Sequence, residues 1–284
     1  MSRVAYVNGH YRPLARAAVS IQDRGFQFAD SIYEVWAVRG GRLFDAPEHM
    51  ARLSRSLVEL KIRPPMDERS LYAVLRETMR RNRVTEGIVY VQVSRGAASR
   101  DHGFPAANVQ PTIVVTAKNL DRAVLEARAA KGVKVISTPE TRWERRDIKS
   151  VNLLPNVLAK EAARAAGAFE AWFVDDGGFV TEGASSTAWI VDAEGRLRTR
   201  DLSHKLLHGV TRAVLIRIAR ERQIKVIEEP FTLSDAYAAR EAFISAASNP
   251  AVPVIAINGR KIGAGAPGPV SKALRAAYLG GEAD

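Results

Sequence analysis

Arg145-Arg146-Asp147-Ile148-Lys149-Ser150-Val151-Asn152 is the stretch on which the fold assignment turns. Lys149 stands among Ile148, Val151, Leu153 and Leu154, apolar company in which a solvent-seeking ammonium has little purpose. Burial disfavours the charged form of a lysine, and a neutral amine attacks a carbonyl carbon. The plain alternative is that Lys149 closes a strand and extends its head group to water. A second segment in the same half of the chain, Thr181-Glu182-Gly183-Ala184-Ser185-Ser186, offers a carboxylate as a possible counterpart.

Composition narrows the field. With 284 residues the chain has room for two domains of ordinary size or one large one. At 46% hydrophobic and 26% charged residues it reads as a folded soluble protein. No apolar run reaches the length of a membrane span, and Met1-Ser2-Arg3-Val4-Ala5-Tyr6 lacks the apolar core of a signal peptide. The expectation is a cytoplasmic protein with no membrane partner. The absence of cysteine rules out a thiol nucleophile, a disulfide framework and a cysteine-ligated metal, and no metal is expected. A formal charge of +11 invites a nucleic-acid reading. Yet the positive residues are spread widely, apart from short runs at Arg80-Arg81-Asn82-Arg83 and from Arg142 to Arg146. No zinc-finger spacing, aromatic RNA-binding strand or basic tail accompanies them. A solvated basic surface accounts for the charge, so no nucleic-acid partner is expected. A basic, non-enzymatic binding protein remains the rival from another class.

Strands and helices alternate along the first half. Val4 to Asn8 reads as a strand closed by the hairpin signal Asn8-Gly9, and Ser31 to Val38 as a second, turned back at Arg39-Gly40-Gly41. Asp45 is placed to cap a helix with Pro47 in its first turn and an apolar stripe at Met50, Leu53, Leu57 and Leu60. Asp67 opens another helix carrying Leu71, Leu75 and Met79. Ile88 to Ser94 and Thr112 to Ala117 read as β-branched strands. The charged, alanine-rich segment 119–131 suits a connector, giving an N-terminal domain over 1–118 and a C-terminal one over 132–284. The second half carries strands at Val133 to Ser137, Glu170 to Val174, Phe179 to Glu182, Ser186 to Val191, Lys225 to Glu228, Ala242 to Ala246 and Val254 to Ile257. Helices are expected at Leu154 to Ala166, from Gly209, and at Val270 to Leu279.

Three further pieces take on meaning beside Lys149 and Glu182. Arg52, on the helix after Asp45, offers the planar fork of donors that suits a phosphate; taken alone it equally reads as a surface arginine on an amphipathic helix. His208-Gly209-Val210-Thr211-Arg212 opens a helix, whose first amides and positive dipole end favour an anion. Ser245-Ala246-Ala247-Ser248-Asn249-Pro250 is a small-residue turn whose amides could cradle a phosphate. Together with Asp23-Arg24-Gly25-Phe26-Gln27-Phe28-Ala29-Asp30, Ser31-Ile32-Tyr33-Glu34-Val35, Glu48-His49-Met50-Ala51-Arg52-Leu53 and Asp147-Ile148-Lys149-Ser150, these segments resemble, in order, those of class IV aminotransferases. The closest resemblance is to the D-amino acid (D-alanine) transaminases.

That resemblance implies an α/β, mixed α+β fold in two domains: the fold type IV architecture of pyridoxal-phosphate enzymes, with a smaller N-terminal α/β domain and a larger C-terminal pseudo-barrel. It implies pyridoxal 5′-phosphate as cofactor. Lys149 would bond it covalently and then shuttle the substrate's α-proton, and Glu182 would pair with its ring nitrogen. Arg52, Val210, Thr211 and the Ala246-Ala247-Ser248 turn would hold its phosphate, with Leu207 against the ring. Tyr33 and Val35 would line the substrate pocket, and Trp36 is a wall candidate that alternation leaves facing either pocket or core.

Specificity rests on the loop Ser94-Arg95-Gly96-Ala97-Ala98-Ser99-Arg100-Asp101-His102-Gly103-Phe104. Arg100 and His102, two residues apart, can face one side of extended backbone and together trap an α-carboxylate. D-Alanine transaminases carry this Arg-x-His pair on a loop that reaches the neighbouring subunit's site, which implies a homodimer. Arg142 corresponds to an arginine near their substrate pocket and would help accept dicarboxylates. The implied reaction transfers an amino group between a D-amino acid, of the D-alanine or D-glutamate type, and a 2-oxo acid. Branched-chain L-amino acid transaminase, (R)-amine transaminase and aminodeoxychorismate lyase are the alternatives on the same fold. Departures from the family pattern are Thr187, closing Ala184-Ser185-Ser186-Thr187, where asparagine is common, Ala246-Ala247 in place of hydroxyl residues, and His208 where lysine is frequent.

Overall fold

The computed structural model describes residues 3–280. These cluster into two compact units, one running up to Asp121 and recruiting Ile148–Asn152, the other formed by Arg122–Asp147 and the chain from Leu153 onward.

In the first unit, β1 (Val4–Val7) and β2 (His10–Pro13) form a hairpin. Its turn places Asn8 and Gly9 at φ 44° and 92°, the pair of positive φ angles that an Asn-Gly turn tolerates. Then come α1 (Arg24–Phe28), β3 (Ser31–Arg39), β4 (Arg42–Leu43), α2 (Ala46–Glu59), α3 (Glu68–Asn82), β5 (Gly87–Ser94) and β6 (Thr112–Asn119). The sheet has the order β2-β1-β6-β5-β3-β4, with every neighbour antiparallel. Period-two alternation sorts its faces. Ile32, Glu34 and Trp36 lie opposite Val93, Val91 and Val89 and are buried, while Tyr33 and Val35 lie opposite Gln92 and Tyr90 on the other, half-buried face. The expected stripes on α2 and α3 are buried at Met50, Leu53, Leu57, Leu71, Leu75 and Met79. Asp67 caps α3 by accepting from the Ser70 amide. Asp45 holds the cap position of α2 but makes no capping hydrogen bond, because it sits in the left-handed region at φ 50°.

The second unit holds α4 (Arg122–Lys131), β7 (Val133–Pro139), α5 (Leu154–Ala165), β8 (Glu170–Val174), β9 (Val180–Gly183), β10 (Thr187–Val191) and β11 (Leu197–Thr199). It continues through α6 (Val210–Glu221), β12 (Val226–Glu228), α7 (Leu233–Ala238), β13 (Glu241–Ala246), β14 (Asn249–Ile257), β15 (Arg260–Lys261) and α8 (Pro269–Gly280). Strand order is β12-β11-β10-β13-β14-β7-β8-β9, with β15 added to β14. Parallel pairs at β14-β7, β7-β8 and β11-β12 make the sheet mixed. β9 ends the order at one side, yet residues 184–186 tie it directly to β10 near the other, so the sheet curls back on itself. Trp189 and Phe243 stack with centroids 5.3 Å apart under Leu215, Leu274 and Tyr278 of α6 and α8. Trp172, Phe231 and Ile244 centre a second cluster. Removing any of these aromatic rings would cost about 3–5 kcal/mol.

Two expectations about organisation change. Residues 119–131 hold the last residue of β6 and helix α4, which packs on β14 with Ala129 buried, so the segment is structured: 119–121 stay with the first unit and α4 groups with the second. Ile148–Asn152 departs from the C-terminal half and pairs along the start of β3: the Tyr33 amide donates to Lys149 O at 2.9 Å and the Val151 amide to Ser31 O at 3.0 Å. The short β4 covers only Val38 and Arg39, which leaves that edge of β3 for the lysine segment. Helices α1 and α7 are not among the elements expected from the sequence, although the Thr232/Asp235 capping box of α7 is a readable signal. No helix among the described residues is long and apolar enough to cross a membrane.

Candidate active site

The first unit brings Lys149 to the face of β3 that carries Tyr33 and Val35. The Lys149 ammonium lies 4.2 Å from the centroid of the Tyr33 ring, and its own amide donates to Ser56 Oγ at 3.3 Å. Tyr33 stacks on Tyr90 at 5.7 Å, and Tyr90 Oη donates to Gln92 Oε1 at 2.8 Å. Burial, with the neighbouring Tyr33, pushes the Tyr90 phenol up to about 12, so it stays a neutral hydrogen-bonding group. Tyr90 and Gln92 share this face with Tyr33 and Val35, a neighbourhood that sequence reasoning missed. Strand register supplies the signal, because both sit across from the Tyr33-x-Val35 face. Trp36 faces the core, where its indole N–H donates to Ala46 O at 3.3 Å and its ring packs on His49.

Arg52 arrives with partners of its own. Its Nε and Nη2 donate to Glu34 Oε2 and Oε1 at 2.9 and 2.6 Å, and His49 Nδ1 lies 2.9 Å from Glu34 Oε1. Burial pushes the Glu34 carboxyl up, but Arg52 and His49 outweigh it and hold it well below the usual carboxylate range. On the 94–104 loop, Arg100 and His102 both rest on Phe28, the guanidinium 5.1 Å and the imidazole 5.4 Å from its centroid.

The second unit contains Glu182, 5% exposed at the end of β9. Its Oε1 accepts from Arg142 Nη1 at 2.6 Å, and the Leu207 amide reaches both carboxylate oxygens at 3.3 Å. Burial raises the Glu182 carboxyl above its ordinary value, and Arg142 only partly opposes this. Arg142 also donates through Nε to Glu140 Oε1 at 2.8 Å, and Glu140 accepts from Thr181 Oγ1 at 2.7 Å. The expectation from sequence puts Arg142 at the substrate pocket. Its guanidinium donates to Glu140, Thr181 and Glu182 and so orients the last of these. Leu207, expected as a ring contact, donates its amide to Glu182.

Val210 and Thr211 are buried in the first turn of α6, and Gly209 precedes them. Its backbone is extended at φ −66°, so the glycine serves space: a Cβ there would sit 3.2 Å from Thr187 Oγ1. Ala246 ends β13 and pairs with Asn249, which makes Ala247-Ser248 a two-residue hairpin turn. Asn249 donates to Ser248 Oγ at 3.0 Å and accepts from Arg128 Nη1 at 3.0 Å. Arg128 and Asn249 thus stiffen the turn, a role that only the long-range fold reveals. His208 Nε2 lies 3.2 Å from Ser203 O.

The first unit thus offers an amine against an aromatic face, and the second a buried carboxylate with a raised pKa and amides at a helix start and a tight turn. The family model described as amino-transferase class IV matches residues 31–257, and the chain belongs to that family. It is 37% identical over 273 residues to a Staphylococcus haemolyticus D-alanine aminotransferase, covering 96% of this chain and 95% of that one. A Bacillus licheniformis D-alanine aminotransferase is also 37% identical, over 270 residues, covering 95% and 94%. In shape it is similar to an Escherichia coli branched-chain amino acid aminotransferase, with TM-score 0.90, 23% identity and coverage of 99% and 94%. It likewise resembles a second branched-chain amino acid aminotransferase, from T.th., solved with pyridoxamine 5′-phosphate, with TM-score 0.89, 27% identity and coverage of 98% and 93%. The cofactor is pyridoxal 5′-phosphate and the substrates are an amino acid and a 2-oxo acid. Each unit by itself carries chemistry suited to that cofactor: the first an amine, Lys149, that can take an aldehyde, the second a buried carboxylate, Glu182, and the amides of α6 and of the 247–248 turn, which suit a ring nitrogen and a phosphate.

Proposed function

We propose that the chain moves the amino group of a D-amino acid, of the D-alanine or D-glutamate type, to a 2-oxo acid. The observation that carries this reading is the Arg100/His102 pair, two carboxylate donors resting on one aromatic ring. Likeness in sequence to D-alanine aminotransferases supports it. Likeness in shape to branched-chain enzymes supports the fold they share, and fold does not fix substrate.

Pyridoxal phosphate, when bound, supplies the electron sink that lets the substrate α-carbon give up its proton. Lys149 would hold the cofactor between turnovers and, once released as a free amine, would take and carry the substrate's α-proton. Glu182 keeps the ring nitrogen protonated, and Arg142 and the Leu207 amide fix its orientation. Arg52, Val210, Thr211 and Ala246-Ala247-Ser248 bind the phosphate, and Leu207 packs on the ring. Tyr33 and Val35, with Tyr90 and Gln92, shape the substrate side. Arg100 and His102 clamp the α-carboxylate, from a partner subunit in a cytoplasmic homodimer.

D-Alanine, L-leucine and (R)-1-phenylethylamine, added separately to the loaded enzyme, test the reading through loss of the visible absorbance of the lysine-linked cofactor. D-Alanine is expected to react fastest, and Lys149→Ala to lack that absorbance. A much faster reaction with L-leucine would overturn the D-amino acid reading while leaving the class intact.

A further inference from the structure

The 94–104 loop does not stand alone. Helix α1 grips it at both ends. The Arg24 amide donates to Gly96 O at 2.9 Å, where the loop leaves β5. The Arg24 side chain, on a residue only 4% exposed, donates through Nη1 to Asp101 O at 2.7 Å, with Nη2 3.5 Å from His102 O. These two carbonyls belong to the Arg-x-His segment itself, so one buried guanidinium sets the backbone from which both carboxylate donors project. Phe28, one turn further along α1, takes the faces of three cations or rings at once: Arg24 at 4.8 Å, Arg100 at 5.1 Å and His102 at 5.4 Å.

The helix is in turn locked to the sheet. Asp30 accepts from Arg24 Nε at 2.8 Å and from Arg95 Nε at 2.8 Å, and Arg95 reaches Leu60 O and Lys61 O at 2.7 and 2.8 Å. Asp23 caps α1 through the Gly25 amide and accepts from Ser94 Oγ at 2.8 Å. A side chain at Gly25 would meet Asp23 Oδ1 and Ser94 Cβ at 2.9 Å, so helix and strand end are in tight contact.

We propose that Arg24 and Phe28 are the positioning residues of the substrate-carboxylate clamp. The inference rests on the proposed role of Arg100 and His102. Both of those side chains are solvent-exposed, and an exposed arginine loses rotamer freedom when it binds an anion. Holding it against a ring beforehand removes part of that loss, and small misplacements of an anchoring group weaken it steeply. Specificity for an α-carboxylate is therefore divided between the loop, which supplies the donors, and α1, which fixes where they stand.

The test uses loaded enzyme carrying Phe28→Leu, Arg24→Gln or, as reference, Arg100→Ala. Three quantities are measured: KM and kcat for D-alanine, the inhibition constant of D-lactate (a carboxylate that cannot be transaminated), and amide hydrogen exchange over 97–104. Phe28→Leu and Arg24→Gln should each raise KM and the D-lactate constant about 10-fold while kcat changes less than about 3-fold. Exchange over 97–104 should accelerate without change in β5, and Phe28→Tyr should restore the wild-type constants. Unchanged D-lactate binding in both variants, or a fall in kcat matching the rise in KM, overturns the proposal. Arg100→Ala separates the two levels of argument. If it leaves D-lactate binding intact, the carboxylate reading itself fails. If it alone weakens binding, only the role of α1 fails. Should Arg24→Gln fail to fold, Phe28→Leu still decides, because Phe28 is only half-buried.

Discussion

Two carboxylates, Glu34 in the first unit and Glu182 in the second, are both buried and both bound by an arginine, yet their proton affinities move in opposite directions. Glu34 receives both arms of Arg52, the ring nitrogen of His49 and the amide of Val35. Glu182 receives one arm of Arg142 and one shared amide at 3.3 Å, and Arg142 is itself divided with Glu140. Burial alone raises both groups, and the number and geometry of donors decides the net sign. Glu34 is thereby a permanent anion whose task is to hold Arg52. Glu182, with fewer donors around it, keeps acceptor capacity free, as its proposed pairing with a ring nitrogen requires.

The largest effect that can break this comparison is on turnover. Glu182→Gln should lower kcat by a factor on the order of 10²–10³, the size expected when a charge-stabilising partner is lost. Stability should change by no more than about 1 kcal/mol, because Arg142 keeps Glu140 and the amide oxygen still accepts. Stopped-flow kinetics and a urea titration on the same sample check both halves. Glu34→Gln should do the reverse. It leaves Arg52 buried without its anion, which costs about 3–5 kcal/mol in the urea titration. Part of its activity should return with excess pyridoxal phosphate, since Arg52 is misplaced but present. Equal stability losses in the two variants would erase the distinction.

Local chemistry is legible in the sequence, and long-range pairing is not. The Asn8-Gly9 hairpin, the Asp67 cap and the stripes of α2 and α3 depend on neighbours a few residues away, and the structure has them where the patterns put them. Lys149 and Glu182 are readable as an ordered pair of motifs, but the return of 148–152 to β3 is not. Nothing in Ile148-Lys149-Ser150 specifies a strand edge left open far earlier in the chain. Arg142 shows the same limit from the other side: its place in the sequence gives no sign of its hydrogen bonds to Glu140 and Glu182. Helix α1 escapes notice because so short a helix shows no periodicity, although its Asp23 cap is visible.

The smallest effect, and the sharpest on sign, is the pH dependence of stability with the cofactor removed. Glu34 has a folded pKa below its unfolded one. Its contribution is therefore complete above the ordinary glutamate value of about 4.3 and is lost as pH falls through the folded value. Glu182 has a folded pKa above its unfolded one, so it destabilises the fold at neutral pH, and that penalty is relieved as pH falls back through the folded value. Urea midpoints measured for wild type, Glu34→Gln and Glu182→Gln across the acid range and up to about pH 8 isolate each group by difference. The advantage of wild type over Glu34→Gln should grow with rising pH and level off above the ordinary carboxylate range. Its difference from Glu182→Gln should move the opposite way, declining as pH rises through the higher folded value. Two curves of the same slope would mean that Glu182 is held as firmly anionic as Glu34, and the division of labour between the two carboxylates would fall with it.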